Sequence, residues 1–129
     1  MGNRHADWFR QAEADLRHGL HAAEAGDHDW ACFASHQAAE KAVKALYLKM
    51  EMEAWGHTVT GLLGSLADRV PVPAEILSAA RGLDKHYIPT RYPNGFDSGA
   101  PVDYYAKEDA EKALRQAEGI LGFCKNLIG

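Results

Sequence analysis

The chain has 129 residues, of which 47% are hydrophobic and 25% are charged, and its formal net charge is −4 at pH 7. This length suits a single domain over residues 1–129, and the composition is that of an ordinary globular protein. No apolar run is long enough to span a bilayer, and no signal-peptide segment is found, so a cytoplasmic location is expected. An acidic chain does not hold nucleic acid by bulk positive charge, so any phosphate recognition requires a local basic patch.

Neither the cysteines nor the start of the chain indicates a metal site, a cofactor or a lipid modification. Cys32 and Cys124 lie in alanine-rich helical patterns and are predicted to be buried, reduced side chains. No Cys/His pair has the spacing of metal ligands, so we predict no metal and no cofactor. Met1-Gly2 does not begin a myristoylation motif, because Ala6 stands where that motif needs Ser or Thr.

Hydrophobic periodicity predicts an all-α, up-and-down bundle of about five helices with mostly short connections. The predicted helices cover approximately residues 3–25, 27–52, 58–70, 73–87 and 107–127. A long connection, residues 88–105, has no secondary-structure pattern of its own, and such loops are usually functional or disordered. Its aromatic residues favour an ordered loop packed on the bundle.

The first and third predicted helices differ in strength. In the first, Asn3 is a plausible N-cap, and Trp8, Ala12, Leu16 and Leu20 form one apolar stripe. In the third, Thr58 is the predicted cap, and Gly61 and Gly64 weaken the helix by roughly 1 kcal/mol each relative to alanine. We therefore expect that docking on the bundle holds the third helix in place.

The second helix is predicted to lie at the centre of the bundle, because apolar residues cover more than half of its circumference. Its remaining stripe is polar, with Gln37, Lys41 and Lys44 on one face, and Glu40 can pair with Lys44 across one turn. The lysines belong either to a solvated helix face or to a phosphate-binding surface. Five histidines are predicted to lie on the surface: His5, His18, His21, His28 and His36.

The segment LDKHYIPTRYPNGF, residues 83–96, has an unusual composition for a connection between helices. Pro89 and Pro93 restrict the backbone, and aromatic residues alternate with the cations around Arg91. A simple connection needs none of these features. We therefore interpret the segment as the candidate working surface.

Four pieces of the chain together resemble a known family. They are Ala14-Asp15-Leu16, the helix WACFASHQAAEKAVKALYL, the pair Gly56-His57 before a leucine-rich helix, and LDKHYIPTRYPN before a final helix with Asp109-Ala110 and Ala113-Leu114. This arrangement resembles the HEPN family, the "higher eukaryotes and prokaryotes nucleotide-binding" domain. The resemblance implies a helical bundle that forms a symmetric homodimer and acts beside a minimal nucleotidyltransferase, as a toxin–antitoxin-like pair. Some members are metal-independent RNases, and others bind nucleotides without known catalysis.

The RNase interpretation uses Arg81 and His86, whose spacing matches the Arg-to-His motif of RNase-type members. Arginine would stabilise charge on the phosphate, and histidine would transfer protons. Residues five apart on a helix point about 140° apart, however, since each residue advances by about 100°. Gly82 and Ile88 also depart from the residues typical of that motif. The RNase activity is therefore the second hypothesis, and the preferred interpretation is not enzymatic.

The preferred hypothesis is binding of a nucleotide, of RNA phosphates or of a nucleotidyltransferase partner. Arg91 would fork onto a phosphate, and Tyr92 or Tyr87 would stack a base. Lys41 and Lys44 would complete the site. His57 would either donate to a phosphate or pack.

A third hypothesis is a purely structural domain. In it, Arg91 ties the loop to a carboxylate such as Glu40, and the loop stabilises a dimer.

Overall fold

The computed structural model describes residues 3–129, which contain only helices and turns. The helices are α1 (His5–Glu24), α2 (His28–Lys49), α3 (Val59–Leu66), α4 (Ala74–Asp84), α5 (Pro101–Tyr104) and α6 (Lys107–Ile128), with a 3-10 turn at Pro93–Gly95. The all-α prediction is confirmed. The four-residue helix α5 is an addition to the predicted set, inside the long connection. Met1 and Gly2, where we rejected a myristoylation motif, lie outside the described residues.

Helix α2 is the central element, as its apolar pattern predicts. It packs most extensively against α1 and α6, which also contact each other, and it packs less extensively against α3 and α4. Alanines such as Ala38, Ala42 and Ala45 are fully buried on α2, so the neighbouring helices approach closely. Larger side chains, including Leu46, Leu63 and Leu83, fill the space between the helices.

Helix α1 runs alongside α2 but buries only part of its predicted stripe. Ala12 is fully buried, whereas Trp8 and Leu20 keep 37% and 43% of their surface exposed. Asn3 lies one residue before the N-cap, Arg4, and its Oδ1 accepts the His5 N–H at 2.8 Å. The Asn3 amide also donates to the carbonyl of Leu48, which ties the start of α1 to the end of α2.

Three helices end earlier than predicted, because turns replace their last residues. Helix α2 stops at Lys49, and Glu51 adopts a left-handed φ of 57° in the turn that follows. Helix α3 stops at Leu66, since the N–H groups of Asp68 and Arg69 bond to carbonyls three residues back, those of Ser65 and Leu66, instead of four. Helix α4 stops at Asp84 rather than at Tyr87.

The connection from residue 88 to α5 is held by local contacts. Thr90 is buried, and its hydroxyl donates to the His86 carbonyl at 2.6 Å. Phe96 stacks on Tyr104 with ring centroids 4.0 Å apart, and the Tyr104 hydroxyl donates to the Ser98 carbonyl. These contacts give the ordered loop that its aromatic residues predict.

The two cysteines are free and fully buried, as predicted. Burial raises the pKa of Cys124 to about 12. Burial, together with the nearby carboxylates of Asp109 and Asp29, raises the pKa of Cys32 to about 12 as well. Both thiols are therefore protonated at neutral pH and belong to the core. Within residues 3–129, no helix combines the length and the apolarity needed to cross a membrane.

Candidate functional site

Asp84, the last residue of α4, organises the junction at the start of α3. Its carboxylate accepts the Val59 N–H at 2.8 Å and the Thr60 N–H at 2.9 Å, so it caps the N-terminus of α3 from a different helix. It also bonds to His36 Nε2 at 3.0 Å. His36 is fully buried, so the prediction that it lies on the surface is wrong.

Two opposing effects at this junction determine the pKa of Asp84. Burial pushes the pKa upward, but the hydrogen bonds from His36 and from the amides of Thr60 and Val59 outweigh burial and lower it below 3.8. The ionised carboxylate therefore holds α2, α3 and α4 together. This rigid junction sets the position of the residues that follow α4.

Arg91 lies in an aromatic cage directly after this junction. Its guanidinium carbon is 4.5 Å from the ring centroid of Phe33, 4.7 Å from that of Tyr87 and 5.1 Å from that of Tyr92. The Nε–H donates to the Tyr87 carbonyl at 2.9 Å. Among residues 3–129, no Asp or Glu side chain forms an ion pair with Arg91. The positive charge is thus held by rings and is not neutralised by a carboxylate.

Glu40 does not reach Arg91, so the predicted Arg91–Glu40 link is wrong. The Glu40 carboxylate instead pairs with Lys44 Nζ at 2.7 Å and His57 Nδ1 at 2.9 Å. Its other oxygen, Oε1, is buried without a hydrogen-bond partner among the described residues. The reason lies in the geometry of the loop, which turns back on Tyr87 and directs Arg91 towards the rings.

His57 joins the Glu40 pair to the cage. Its ring stacks on Tyr87 with centroids 5.9 Å apart and planes 11° apart, while 64% of its side chain stays exposed. The structure therefore shows the packing role for His57, and its exposure leaves the ring accessible to a ligand. Tyr87 contacts Arg91 on one side and His57 on another, so it is the centre of this cluster.

Lys41 lies away from the Arg91 cage, beside α1. Its Nζ pairs with the Asp15 carboxylate at 2.6 Å, and the groove that it lines also contains Trp30, Phe33 and Gln37. Phe33 belongs both to this groove and to the cage. The structure thus brings His57, Arg91 and Tyr92 into one cluster. It links Lys44 to this cluster through Glu40, and it places Lys41 in a groove that shares Phe33 with the cage.

Arg81 and His86, the residues of the RNase hypothesis, lie in different environments. Arg81 is exposed on the last turn of α4. His86 follows the helix, packs edge-on against Tyr105 and has a buried Nδ1 with no partner among the described residues. His86 lines a small cavity of about 180 Å³ together with Gly82, Lys85, Asp109, Lys112 and Gln116, and Arg81 is not part of this lining. The RNase pair therefore stays a prediction without a shared site.

Burial lowers the pKa of His86 below 6.5, and Lys85, Lys112 and His36 act in the same direction. Asp109 opposes them. The imidazole is thus mainly neutral at pH 7.

Sequence reasoning missed Phe33 as a member of the site. The sequence nevertheless indicates that Phe33 lies near the site. Phe33 is four residues before Gln37 and eight before Lys41, so it extends the same helical stripe. An aromatic residue in line with a polar stripe is a reason to expect a ring at the site. The roles of His36 and Asp84 carry no such local signal, since these two residues are 48 positions apart.

The fold and the site define the class of protein. Residues 5–127 match the HEPN domain, and the chain belongs to the HEPN family. The resemblance seen in the sequence is confirmed.

Three solved structures of relatives share the fold. TT1696 from Thermus thermophilus is 44% identical, with a TM-score of 0.94 and coverage of 98% of this chain and 99% of its own. The archaeal HEPN homologue ST0689 is 41% identical, with a TM-score of 0.85 and full coverage of both chains. The HEPN domain protein tm0613 from Thermotoga maritima is 40% identical, with a TM-score of 0.79 and coverage of 94% and 96%.

A curated relative has a functional name. It is a protein of Methanocaldococcus jannaschii called "Putative toxin MJ1304", which is 25% identical over 130 residues, covering 94% of this chain and 86% of its own.

Proposed function

We propose that this chain is a toxin-like HEPN protein that binds a phosphate group of a nucleotide or of RNA at Arg91. The family match and the toxin name of the Methanocaldococcus relative support the toxin-like class. The observation that carries the binding site is the Arg91 cage, with its charge uncompensated by any ion pair within residues 3–129.

The geometry of Arg91 suits a phosphate for two reasons. The Nε–H is used by the Tyr87 carbonyl, which fixes the plane of the guanidinium and leaves both terminal nitrogens to a ligand. The rings of Phe33, Tyr87 and Tyr92 restrict the side chain further, so little rotamer entropy is lost on binding. Tyr92 is 47% exposed and offers a face on which a base can stack.

The test compares Arg91→Lys and Arg91→Ala with the exposed-residue control Arg69→Ala. Titration calorimetry with inorganic phosphate and with AMP measures binding, and amide spectra map the responding residues. We expect both Arg91 variants to bind at least about tenfold more weakly, because a lysine cannot keep the fork or the Tyr87 bond. The control should bind like the parent protein. Equal binding by all three variants would contradict the proposal.

Stability measurements separate this role from a structural one. Loss of the Tyr87 hydrogen bond and of the ring contacts should cost Arg91→Ala about 1–2 kcal/mol, which leaves the protein folded. If Arg91→Ala unfolds the protein or splits a dimer, the structural hypothesis replaces the binding one.

The proposal extends to the assembly in which the protein acts. From the family resemblance we expect a cytoplasmic homodimer that works with a minimal nucleotidyltransferase. Light scattering on the purified protein tests the dimer, and co-purification with a nucleotidyltransferase encoded beside it tests the partner. A monomer at all concentrations, or no association, would remove that part of the proposal and leave the Arg91 site standing.

A further inference from the structure

An apolar cleft lies at the end of the bundle where α1 begins and α2 ends. Its volume is about 370 Å³, within the range of small-molecule sites. Its lining includes Trp8, Lys44, Tyr47, Leu48, Met52 and Trp55. Trp8 lies on α1, Lys44 on α2 and Trp55 on the connection between α2 and α3. Three parts of the chain thus meet around one opening.

The two tryptophans leave much of their surface in water. Trp55 is 80% exposed and Trp8 is 37% exposed, although both line an apolar cleft. An exposed tryptophan does not gain the large favourable free energy that burial of its ring would give. Exposed aromatic surface beside a cleft marks a binding site. Indole rings stack well on planar heterocycles, which favours an aromatic ligand over an aliphatic one.

A chain of direct contacts connects this cleft to the Arg91 cage. Lys44, on the cleft, pairs with Glu40, which also pairs with His57. His57 stacks on Tyr87, and the Tyr87 ring lies 4.7 Å from the guanidinium of Arg91. This path combines aromatic rings and basic side chains with the carboxylate of Glu40. Proteins that hold single-stranded nucleic acid without reading its sequence likewise combine stacking rings with cations.

The charges indicate that stacking dominates in the cleft. The Lys44 charge is offset by Glu40 at 2.7 Å, and Glu53 adds a negative charge to the lining. A phosphate gains little there, whereas a neutral base gains the contact with the tryptophans. Arg91, by contrast, is suited to the phosphate and lies beyond Glu40, His57 and Tyr87.

We propose that the cleft between Trp8 and Trp55 binds an unpaired base of a single-stranded nucleic acid, another part of which places a phosphate at Arg91. The inference rests on the proposed function for the phosphate end of the ligand. Three residues separate Lys44 from Arg91 along the chain of contacts, whereas only a sugar separates the base of a mononucleotide from its phosphate. A ligand that reaches both places is therefore an oligonucleotide.

The experiment uses probes that separate the two ends of the ligand. Adenosine has a base without a phosphate, inorganic phosphate has no base, and oligoadenylate has both. Calorimetry measures the binding of all three probes, because the Trp55 variants remove a fluorophore of the cleft and would change any fluorescence signal. The variants are Trp55→Ala, Trp55→Phe and Arg91→Ala. The control is Leu20→Ala, which removes an exposed apolar side chain about 18 Å along α1 from Trp8.

We expect Trp55→Ala to weaken the binding of oligoadenylate and of adenosine at least about fivefold, because one stacked base loses its partner. It should leave inorganic phosphate unchanged, and Trp55→Phe should retain most of the binding. Ribo- and deoxyribo-oligoadenylate then distinguish RNA from DNA as the strand.

Three other outcomes would each contradict a particular part of the two proposals. If Trp55→Ala binds oligoadenylate and adenosine like the parent while Arg91→Ala loses phosphate, the cleft inference is wrong and the proposed function stands. If the parent protein binds adenosine but does not bind inorganic phosphate, the Arg91 site is wrong and the cleft binds bases independently. If oligoadenylate binds no better than AMP, the two sites do not share one strand, which overturns the inference.

Discussion

His36 in the centre of α2 and Asp84 at the end of α4 are joined by a 3.0 Å hydrogen bond, and the same carboxylate caps α3. One acidic side chain thus connects three helices. The loop that carries Arg91 starts a few residues later, so this junction determines where the cage forms. The stability of the fold and the geometry of the site are coupled through Asp84.

Asp84→Asn should destabilise the protein by about 2–3 kcal/mol. The N–H groups of Val59 and Thr60 bond to different oxygens of Asp84, so the amide keeps one acceptor and its NH₂ group faces the other N–H donor. Urea denaturation followed by circular dichroism measures the change. Asp97→Asn, an exposed carboxylate in the loop, is the matched control and should change stability by less than about 0.5 kcal/mol. Equal changes in the free energy of unfolding for the two variants would show that the Asp84 cap does not stabilise the fold.

The same carboxylate should make the protein sensitive to acid. The pKa of Asp84 is lowered in the fold, so its contribution to the free energy of unfolding is fully present above the unfolded value, near 3.8. The contribution is lost as the pH falls through the lower folded pKa. The stability difference between the parent and Asp84→Asn should therefore be constant from about pH 6 to about pH 5 and should shrink as the pH falls below about 4 towards 3. A difference that is constant over this range would contradict the prediction.

His86 should add a second pH dependence at higher pH. Burial lowers its pKa in the fold, so below 6.5 the unfolded chain takes up a proton that the folded chain does not. The free energy of unfolding should therefore decrease as the pH falls from about 7 towards 5. His86→Gln should flatten this part of the curve, whereas the exposed-residue control His18→Gln should keep it. Parallel curves for all three proteins would show that His86 is not responsible.

Two glycines in α3 should respond differently to substitution by alanine. A Cβ on Gly64 meets no atom within 4 Å, so Gly64→Ala should stabilise the protein by about 0.5–1 kcal/mol through helix propensity. A Cβ on Gly61 would lie 2.7 Å from Thr58 Oγ1, the atom that accepts the Gly61 N–H as the cap of α3. Gly61→Ala should lose this gain, because the cap must move. Thermal unfolding of the pair provides the comparison, and equal stabilisation would contradict it.

Binding of oligoadenylate should depend only weakly on salt. Lys41 and Lys44 are each neutralised by a carboxylate, so Arg91 is the main cation that replaces a counterion. The slope of log affinity against log salt should be about −0.7, the value for one phosphate contact on a single strand. Calorimetry or anisotropy at several salt concentrations measures it. A slope several times steeper would mean that the lysine pairs open and the lysines contact phosphates.

Most of the fold was predictable, because helices follow from local periodicity. The pattern of α2, with apolar residues around more than half of its circumference, predicted the central position that the structure shows. The ends of α2, α3 and α4 were less predictable. Their last turns depend on hydrogen bonds that reach three residues back instead of four, such as the bond from the Arg69 N–H to the Leu66 carbonyl.

The amino-acid sequence by itself determined the helices, the family resemblance and the prominence of the Arg91 loop. The tertiary structure alone decided the partners of each charge. His36 bonds to Asp84, 48 positions away, and Glu40 pairs with Lys44 and His57 rather than with Arg91. Periodicity states which face of a helix a side chain occupies, but not which residue of another helix lies opposite. That choice depends on how the helices and the loop after α4 pack together.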